Sequence, residues 1–376
     1  MKLINTTFEL LNLPEFNLAT IAFFTSFILS IALVLSKSCH GVFSMDSTVG
    51  IQKSHTQATP RIGGIAIILS LVWSCGKAST DIQTILMPIL FAGMPAFLFG
   101  IAEDFTKKIS ILQRLLATIA SGFLAWWITD YSLSRLNIWG LDMLMQFTFF
   151  SVIFTMFAVG GVANSINIID GFNGYASLTC FIAFIGFAMI AFQLGDLKLA
   201  LVSVILAASV FGFFWVNWPF GKIFLGDGGA YFLGFAQAWI AVLLIERNTS
   251  ASAFSALLVC ILPITEVILS IFRRQVRKQH PGKADRMHFH NMLHRRYIIR
   301  WLSKWPSTAK NSLVGIIIGL TNLIPAIVAY YSYESTLFCL IASLIFVFLY
   351  VAIFARMVKF YWCSPIAFLI LKPKQN

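Results

Sequence analysis

The sequence predicts an all-α polytopic membrane protein with about 11 transmembrane helices, and three observations predict it. Of the 376 residues, 59% are hydrophobic and only 11% are charged, with 37 phenylalanines, which lies outside the composition of a soluble domain. Several apolar runs exceed the ~20 residues that a helix needs to cross the hydrocarbon. Those runs are continuous where a barrel strand would alternate, so helices are selected over a barrel.

Eleven spans fit, at about 18–36, 62–76, 84–102, 111–129, 141–160, 175–193, 199–218, 230–245, 253–272, 313–331 and 336–355. The first follows "MKLINTTFELLNLPEFN", which has two glutamates and no basic cluster, and no A-x-A-like site follows the run. It therefore reads as a retained helix and not a cleaved signal. The second is short, Gly-rich and opened by "PRIGG"; the third runs out into an acid pair, Glu103–Asp104. The fourth carries "QR" (113–114) in its first turn, and the fifth leads into the polar stretch "NSINIIDGFNG". The sixth and seventh are apolar throughout, the eighth follows "GDGG", the ninth carries Glu266, and the last two come after a basic loop. The six cysteines are scattered with no CxxC pair, and they read as small buried hydrophobes. With no repeat, low-complexity tract or linker, residues 1–376 read as a single integral membrane domain that includes the loop 273–312.

Orientation follows from Lys and Arg. Loops 37–61, 103–114, 161–174, 219–229 and 273–312 and the tail from 356 hold 22 of the 27 basic residues. The opposite set holds only Lys2, Lys77, Arg135, Lys198 and Arg247. The positive-inside rule then makes the N-terminus periplasmic and the C-terminus cytoplasmic, and an odd number of spans agrees. Seven acids fall on the cytoplasmic half, and five of them (Glu103, Asp104, Asp170, Asp227 and Glu266) stand at or within helix ends. Glu266 lies roughly 10 Å deep, counted inward from Arg273 at ~1.5 Å per residue. Ionisable groups at membrane depth are expensive and usually face a wet interior site, so the active site is expected on the cytoplasmic face.

In "GIAEDFTKKISILQR" (100–114) the adjacent carboxylates suit a divalent cation or a split acid/base pair; an interfacial anchor weighs equally. Asn164, Asn167, Asp170 and Asn173 recur every three residues and form one polar stripe if helical. Amides on such a stripe can hold a phosphate or a sugar hydroxyl; the plainer alternative is glue between helices. In "FLGDGGAYFLG" one acid stands among glycines at a helix start, where backbone N–H groups can approach an anion. Asp227 would there hold the metal that neutralises a bound pyrophosphate, or serve as an ordinary N-cap. Arg61 suits phosphate or a plain loop-to-helix turn. The loop 273–312 holds eleven basic residues against Asp285, which attraction to anionic inner-leaflet lipids mostly explains. It does not explain His288, His290 and His294 beside Arg286. No third zinc ligand is evident, and phosphate recognition is favoured over a solvated face. The inventory is that of phosphoryl transfer involving a lipid, with no sign of nucleic-acid binding.

"SHTQATPRIGG", "GIAEDF…QR", "NSINIIDGFNG", "IFLGDGGAYFLG" and "ADRMHFHNMLHRR" have the order and spacing of the polyprenyl-phosphate N-acetylhexosamine-1-phosphate transferases. The chain resembles this WecA/MraY-like family from about residue 15 to 355. The resemblance implies transfer of sugar 1-phosphate from a UDP-N-acetylhexosamine to undecaprenyl phosphate in a bacterial inner membrane, releasing UMP. It implies Mg²⁺, with Mn²⁺ as a substitute, on Asp227. Asp104, Asp170 and Glu103 take catalytic positions, with Asp104 a candidate for engaging or deprotonating the lipid phosphate. Substrate would be held by Lys53, Arg61, Arg114, Asn164, Asn167, Asn173, Phe224 (stacked on uracil), Arg286, His288 and His290. A homodimer is what the family suggests. Glu103, Glu266, Asn173 and Asn291 depart from the family pattern, and the ED and HxHN variants suit an O-antigen or capsule initiator better than the peptidoglycan enzyme. The rival readings are a secondary transporter for an anionic nucleotide or lipid, which also uses broken helices and intramembrane polar groups, and a non-catalytic homologue.

Overall fold

In lipid each backbone N–H and C=O must find its partner inside its own segment, and the apolar runs accordingly fold as helices. The structure, a computed structural model, describes Thr6, Glu9, Leu11 and residues 15–46, 58–278 and 287–361. Helices α1 (Asn17–Leu35) and α2 (Lys37–Ser44) lead to a two-residue antiparallel ladder of β1 (Met45–Asp46) with β2 (Thr59–Pro60). There follow α3 (Gly63–Lys77), α4 (Thr80–Ala92), α5 (Met94–Thr106), α6 (Ile111–Thr129), the short α7 (Leu141–Met145) and α8 (Thr148–Ile169). Next come α9 (Tyr175–Gln193), α10 (Leu197–Asn217), α11 (Gly226–Arg247), α12 (Ala253–Val259) and α13 (Ile261–Val276). After α14 (Phe289–Leu293), a π-helical turn (His294–Ile298) and α15 (Ile299–Trp301), the chain ends its described part in α16 (Ser307–Thr321), α17 (Leu323–Ser332) and α18 (Thr336–Lys359).

Among the described residues eight helices are long and apolar enough to cross a membrane, or ten if each of two bent pairs is one span. The protein is thus an integral membrane protein. Every expected span has a helical counterpart, and the count of about 11 differs because α3, at 15 residues, is shorter than the ~17–25 that a full crossing needs. Two of the expected spans are broken: α4 and α5 meet at Gly93 with a 42° bend, and α12 and α13 at Cys260 with a 78° bend. The fifth span starts later than expected and continues to Ile169, so Asn164 and Asn167 belong to a helix and not to a loop.

Helix α11 is the axis of the bundle. It is buried along nearly its whole length and packs against α3, α5, α8 and α9. Backbones approach most closely where glycines face each other, since a Cβ on Gly64 would stand 2.4 Å from Gly229 Cα and one on Gly100 2.5 Å from Gly228 Cα. Small residues at such crossings are what dense packing in lipid uses.

At the far end of α11 the last carbonyls lack intrahelical partners, and Arg135 supplies them. Its guanidinium donates to the carbonyls of Ile245 (2.8 Å), Asn248 (2.8 Å) and Ala251 (2.9 Å). Beside it Ser134 donates twice to Glu246, and Arg247 makes a bidentate pair with Asp196, the N-cap of α10. Hydrogen bonds from a charged donor contribute about 1.5–3 kcal/mol each. Arg135→Ala is therefore expected to lower the thermal midpoint in detergent by several degrees; an unchanged midpoint would show the brace to be idle.

Candidate active site

The site forms where the loop before α11 is stitched to the start of α3. Phe224 N–H donates to Pro60 O (2.8 Å), Gly63 N–H to Phe224 O (2.9 Å) and Gly64 N–H to Leu225 O (3.0 Å). Gly226 takes φ +78°, and a Cβ there would stand 2.2 Å from Arg61 O, so only glycine permits this approach. The stitch sets Arg61 against the first turn of α11. Arg61 donates to Asp227 Oδ1 through Nη2 (2.9 Å) and pairs through Nε with Asp104 Oδ1 at 3.4 Å.

Three further elements converge there. A capping box of Ser110 and Gln113 starts α6 and positions Arg114, one residue further on; its Nη1 pairs with Asp227 Oδ2. From α8, Asn167 donates through Nδ2 to Asp227 Oδ1 (3.1 Å), and Asn164 donates to Thr118 Oγ1 (3.0 Å) and Gly160 O (2.8 Å). Asp170 follows the last turn of α8. Burial pushes its carboxyl up to about 7, with Asp227 and Asp104 adding to the rise and Arg61 opposing it.

Asp104, 3% exposed, lies behind this layer and accepts from Gly228 N–H at 3.1 Å. The glycines of GDGG were expected to present N–H groups to an anion. Gly228 instead serves Asp104, and Gly228 and Gly229 serve helix packing.

These side chains close one end of a cavity of about 1290 Å³. Its polar lining is Arg61, Arg114, Asn164, Asn167, Asp170 and Asp227 together with Arg274, His288, His290 and Asn291. The rest is a long apolar wall from α6, α8, α11, α12 and α13, reaching Leu136 and Phe254 at the far end. The histidines are held from behind. His288 Nδ1 bonds Glu266 Oε1 (2.7 Å), the His288 and His290 rings stack at 5.3 Å, and Phe172 and Tyr175 pack on His290.

The expected residues divide. Arg61, Arg114, Asn164, Asn167, Asp170, Asp227, His288 and His290 meet at one cavity. Asp104 adjoins it from behind. Glu103 is not among the lining residues and accepts from Ile109 N–H (2.8 Å), bracing the turn after α5. Asn173 corrects the stripe: the helix ends at Ile169 and the turn sends Asn173 into the interior, 6% exposed and donating to Ser312 Oγ (3.1 Å). Phe224 contributes backbone to the stitch, and its ring does not line this cavity. Lys53 and Arg286 lie outside the described residues. Tyr231 and Arg274 also line the cavity and were not singled out, because Tyr231 sits in an apolar run and Arg274 is one of many loop cations.

Among the described residues no three His, Cys, Asp or Glu side chains form a metal-binding group. The acids present nonetheless fit Mg²⁺, which binds through one or two carboxylates and completes its shell with water and substrate phosphates. Asp227 and Asp170 share the polar wall, and the Asp104 Oδ1 atom behind them is buried without a hydrogen bond.

Fold and site together define an integral membrane protein with a charged pocket that opens onto an apolar channel. Residues 86–245 match the family described as glycosyl transferase family 4. The phospho-N-acetylmuramoyl-pentapeptide-transferase of Clostridium perfringens (strain 13 / Type A) is 31% identical over 202 residues, 51% of this chain and 64% of that protein. The probable undecaprenyl-phosphate N-acetylglucosaminyl 1-phosphate transferase of Bacillus subtilis (strain 168) is 26% identical, covering 64% of this chain and 67% of its own length. The undecaprenyl-phosphate alpha-N-acetylglucosaminyl 1-phosphate transferase of Yersinia pestis is 24% identical, covering 65% and 68%. The chain spans a little under two thirds of the Clostridium relative. As its motifs predict, the chain is a relative of the WecA/MraY-like transferases, and these matches cover a shorter stretch than the expected 15–355.

Proposed function

We propose that the chain transfers N-acetylhexosamine 1-phosphate from a UDP-sugar to undecaprenyl phosphate, giving undecaprenyl-pyrophosphoryl-sugar and UMP. The observation that carries this reading is the single cavity joining a cation-rich polar end to a long apolar wall. A nucleotide sugar and a lipid phosphate need those two surfaces side by side. Relatives named for muramoyl-pentapeptide and N-acetylglucosaminyl phosphate transfer support the reaction class. We assign the polar end to the cytoplasmic face of a bacterial inner membrane, with the N-terminus periplasmic and residues 1–376 as one domain. The role we assign is initiation of an O-antigen or capsule polysaccharide, in a homodimer whose basic loop lies on anionic lipids.

In this mechanism an oxygen of the lipid phosphate attacks the β-phosphorus of the donor, and the bond from that phosphorus to the UMP oxygen breaks. The acceptor is already anionic at neutral pH, so positioning and electrostatics lower most of the barrier. Arg61 and Arg114 draw the phosphates to the pocket and hold Asp227 in place. Asn164 and Asn167 meet phosphate or sugar hydroxyls, and His288 and His290 face the donor from the same cavity. Asp227, with Asp170, would hold Mg²⁺ or Mn²⁺, which when bound neutralises charge on the leaving group. Asp104 fixes Arg61 and the Gly228 amide from behind.

Membranes containing the chain, incubated with Mg²⁺, undecaprenyl phosphate and a radiolabelled UDP-N-acetylhexosamine, are expected to release UMP and move label into lipid. A panel of UDP-N-acetylhexosamine donors identifies the sugar. Substrate counterflow into proteoliposomes without UMP would make the protein a transporter, and neither result would make it a non-catalytic homologue.

A further inference from the structure

Glu266 was singled out by its depth in the sequence, and the proposed reaction leaves it without a task. It sits in α13, 0% exposed, where an ionised carboxylate survives only if its lone pairs are filled. Three donors reach its two oxygens. Tyr350 O–H of α18 donates to Oε2, Phe289 N–H donates at 3.1 Å to Oε1 and 3.4 Å to Oε2, and His288 Nδ1 stands 2.7 Å from Oε1. The backbone amide can only give its hydrogen, and it reaches both oxygens; the phenol gives its own to an ionised carboxylate. A carboxylate so engaged is the acceptor form.

That count decides the state of His288. Its Nδ1 must carry a hydrogen, which leaves Nε2 as the nitrogen available to the cavity that His288 lines. The ring cannot swing away, because it stacks on His290 at 5.3 Å and 12° and its own residue is the N-cap of α14, whose first N–H is also held by Glu266. One buried acid therefore sets both the tautomer of the imidazole and the start of the short helix that presents it. In this tautomer Nε2 is an acceptor, so the group it can meet directly is a hydroxyl of the substrate.

We propose that Glu266, supported by Tyr350, is a positioning residue that fixes His288 with Nε2 toward a sugar hydroxyl of the bound donor, which it can accept from. This assignment rests on the transferase reading for the identity of the ligand, and its geometry is independent of it. Carboxylates that orient metal-ligating histidines matter by about 10- to 100-fold, and an effect of that order is expected here.

Two measurements test it. In the first, UMP release is measured for wild type, E266Q, H288Q and E266Q/H288Q. E266Q is expected to lose about 10- to 100-fold, E266D to regain part of it, and the double variant to be no slower than H288Q, because both changes remove one unit. Losses that multiply, or an E266Q enzyme as fast as wild type, would overturn the proposal. If E266Q does not purify folded, Y350F replaces it in the same cycle with the same readings.

In the second, ¹⁵N-histidine spectra are recorded in detergent, with the His288 signal assigned by its absence in H288Q. Wild type is expected to show the Nδ1–H form and Y350F/E266D a weakened preference for it. An Nε2–H form in wild type would overturn the proposal without any turnover. A wild-type protein that shows Nδ1–H yet releases no UMP would instead defeat the transferase reading alone.

Discussion

Asp227→Asn is expected to abolish UMP release in detergent with Mg²⁺, by about 10³-fold or more, on the order of the largest losses from removing one preorganised electrostatic group. The substitution preserves the shape of the side chain, so packing within α11 stays in place. What disappears is the negative charge that two guanidiniums and an amide share, through Arg61 Nη2 at 2.9 Å, Arg114 Nη1 and Asn167 Nδ2 at 3.1 Å. Arg61 then loses its pair with Asp227 and Arg114 the same partner, and both can fold onto the phosphates in unproductive positions. Donor binding should survive better than turnover, since the pocket gains net positive charge while losing the group that would hold a divalent cation. Turnover within tenfold of wild type, in a protein with an unchanged thermal midpoint, would remove Asp227 from the reaction.

Gly100→Ala is expected to be nearly as damaging, although Gly100 touches no substrate. A Cβ there would meet Gly228 Cα and N at 2.5 Å and the Asp227 carbonyl carbon at 2.6 Å. These are backbone atoms and cannot rotate away, so α5 and α11 must separate. Overpacking of this kind costs about 1–3 kcal/mol, and more when backbone has to move. Separation also lengthens the hydrogen bond from Gly228 N–H to Asp104 and shifts Asp227 against Arg61. Both a lower thermal midpoint and a fall in turnover are therefore expected. Gly76→Ala is the control, because a Cβ at that helical position would meet nothing within 4 Å. Equal behaviour of the two variants would refute the close-packing account.

The contrast between these predictions marks how far residues could be read in line. Charge at or near helix ends marks Glu103, Asp104, Asp170, Asp227 and Glu266 in the sequence, because an acid at membrane depth is costly wherever the chain goes. Threefold spacing brought Asn164 and Asn167 onto one face, and α8 does present both to the cavity. The same spacing misplaced Asn173, because the helix ends four residues earlier and periodicity has no meaning beyond a helix end. Glu103 and Asp104 are adjacent in sequence and faced the same reading, yet one braces a turn and the other supports Arg61. Neighbours on a helix point about 100° apart, so their fates separate as soon as one face is packed.

By itself the sequence determined that this chain crosses a membrane many times, which loops carry the basic residues, and which polar segments resist burial. Those are local properties, since apolar length and backbone hydrogen bonding are settled within each span. Only the tertiary structure decided that Arg61 and Asp227, 166 residues apart, share an ion pair, that the GDGG glycines serve helix packing, and that Glu266 grips His288. Each depends on which helices cross at which height, and that is governed by the packing of many side chains together, a quantity no single stretch of residues contains.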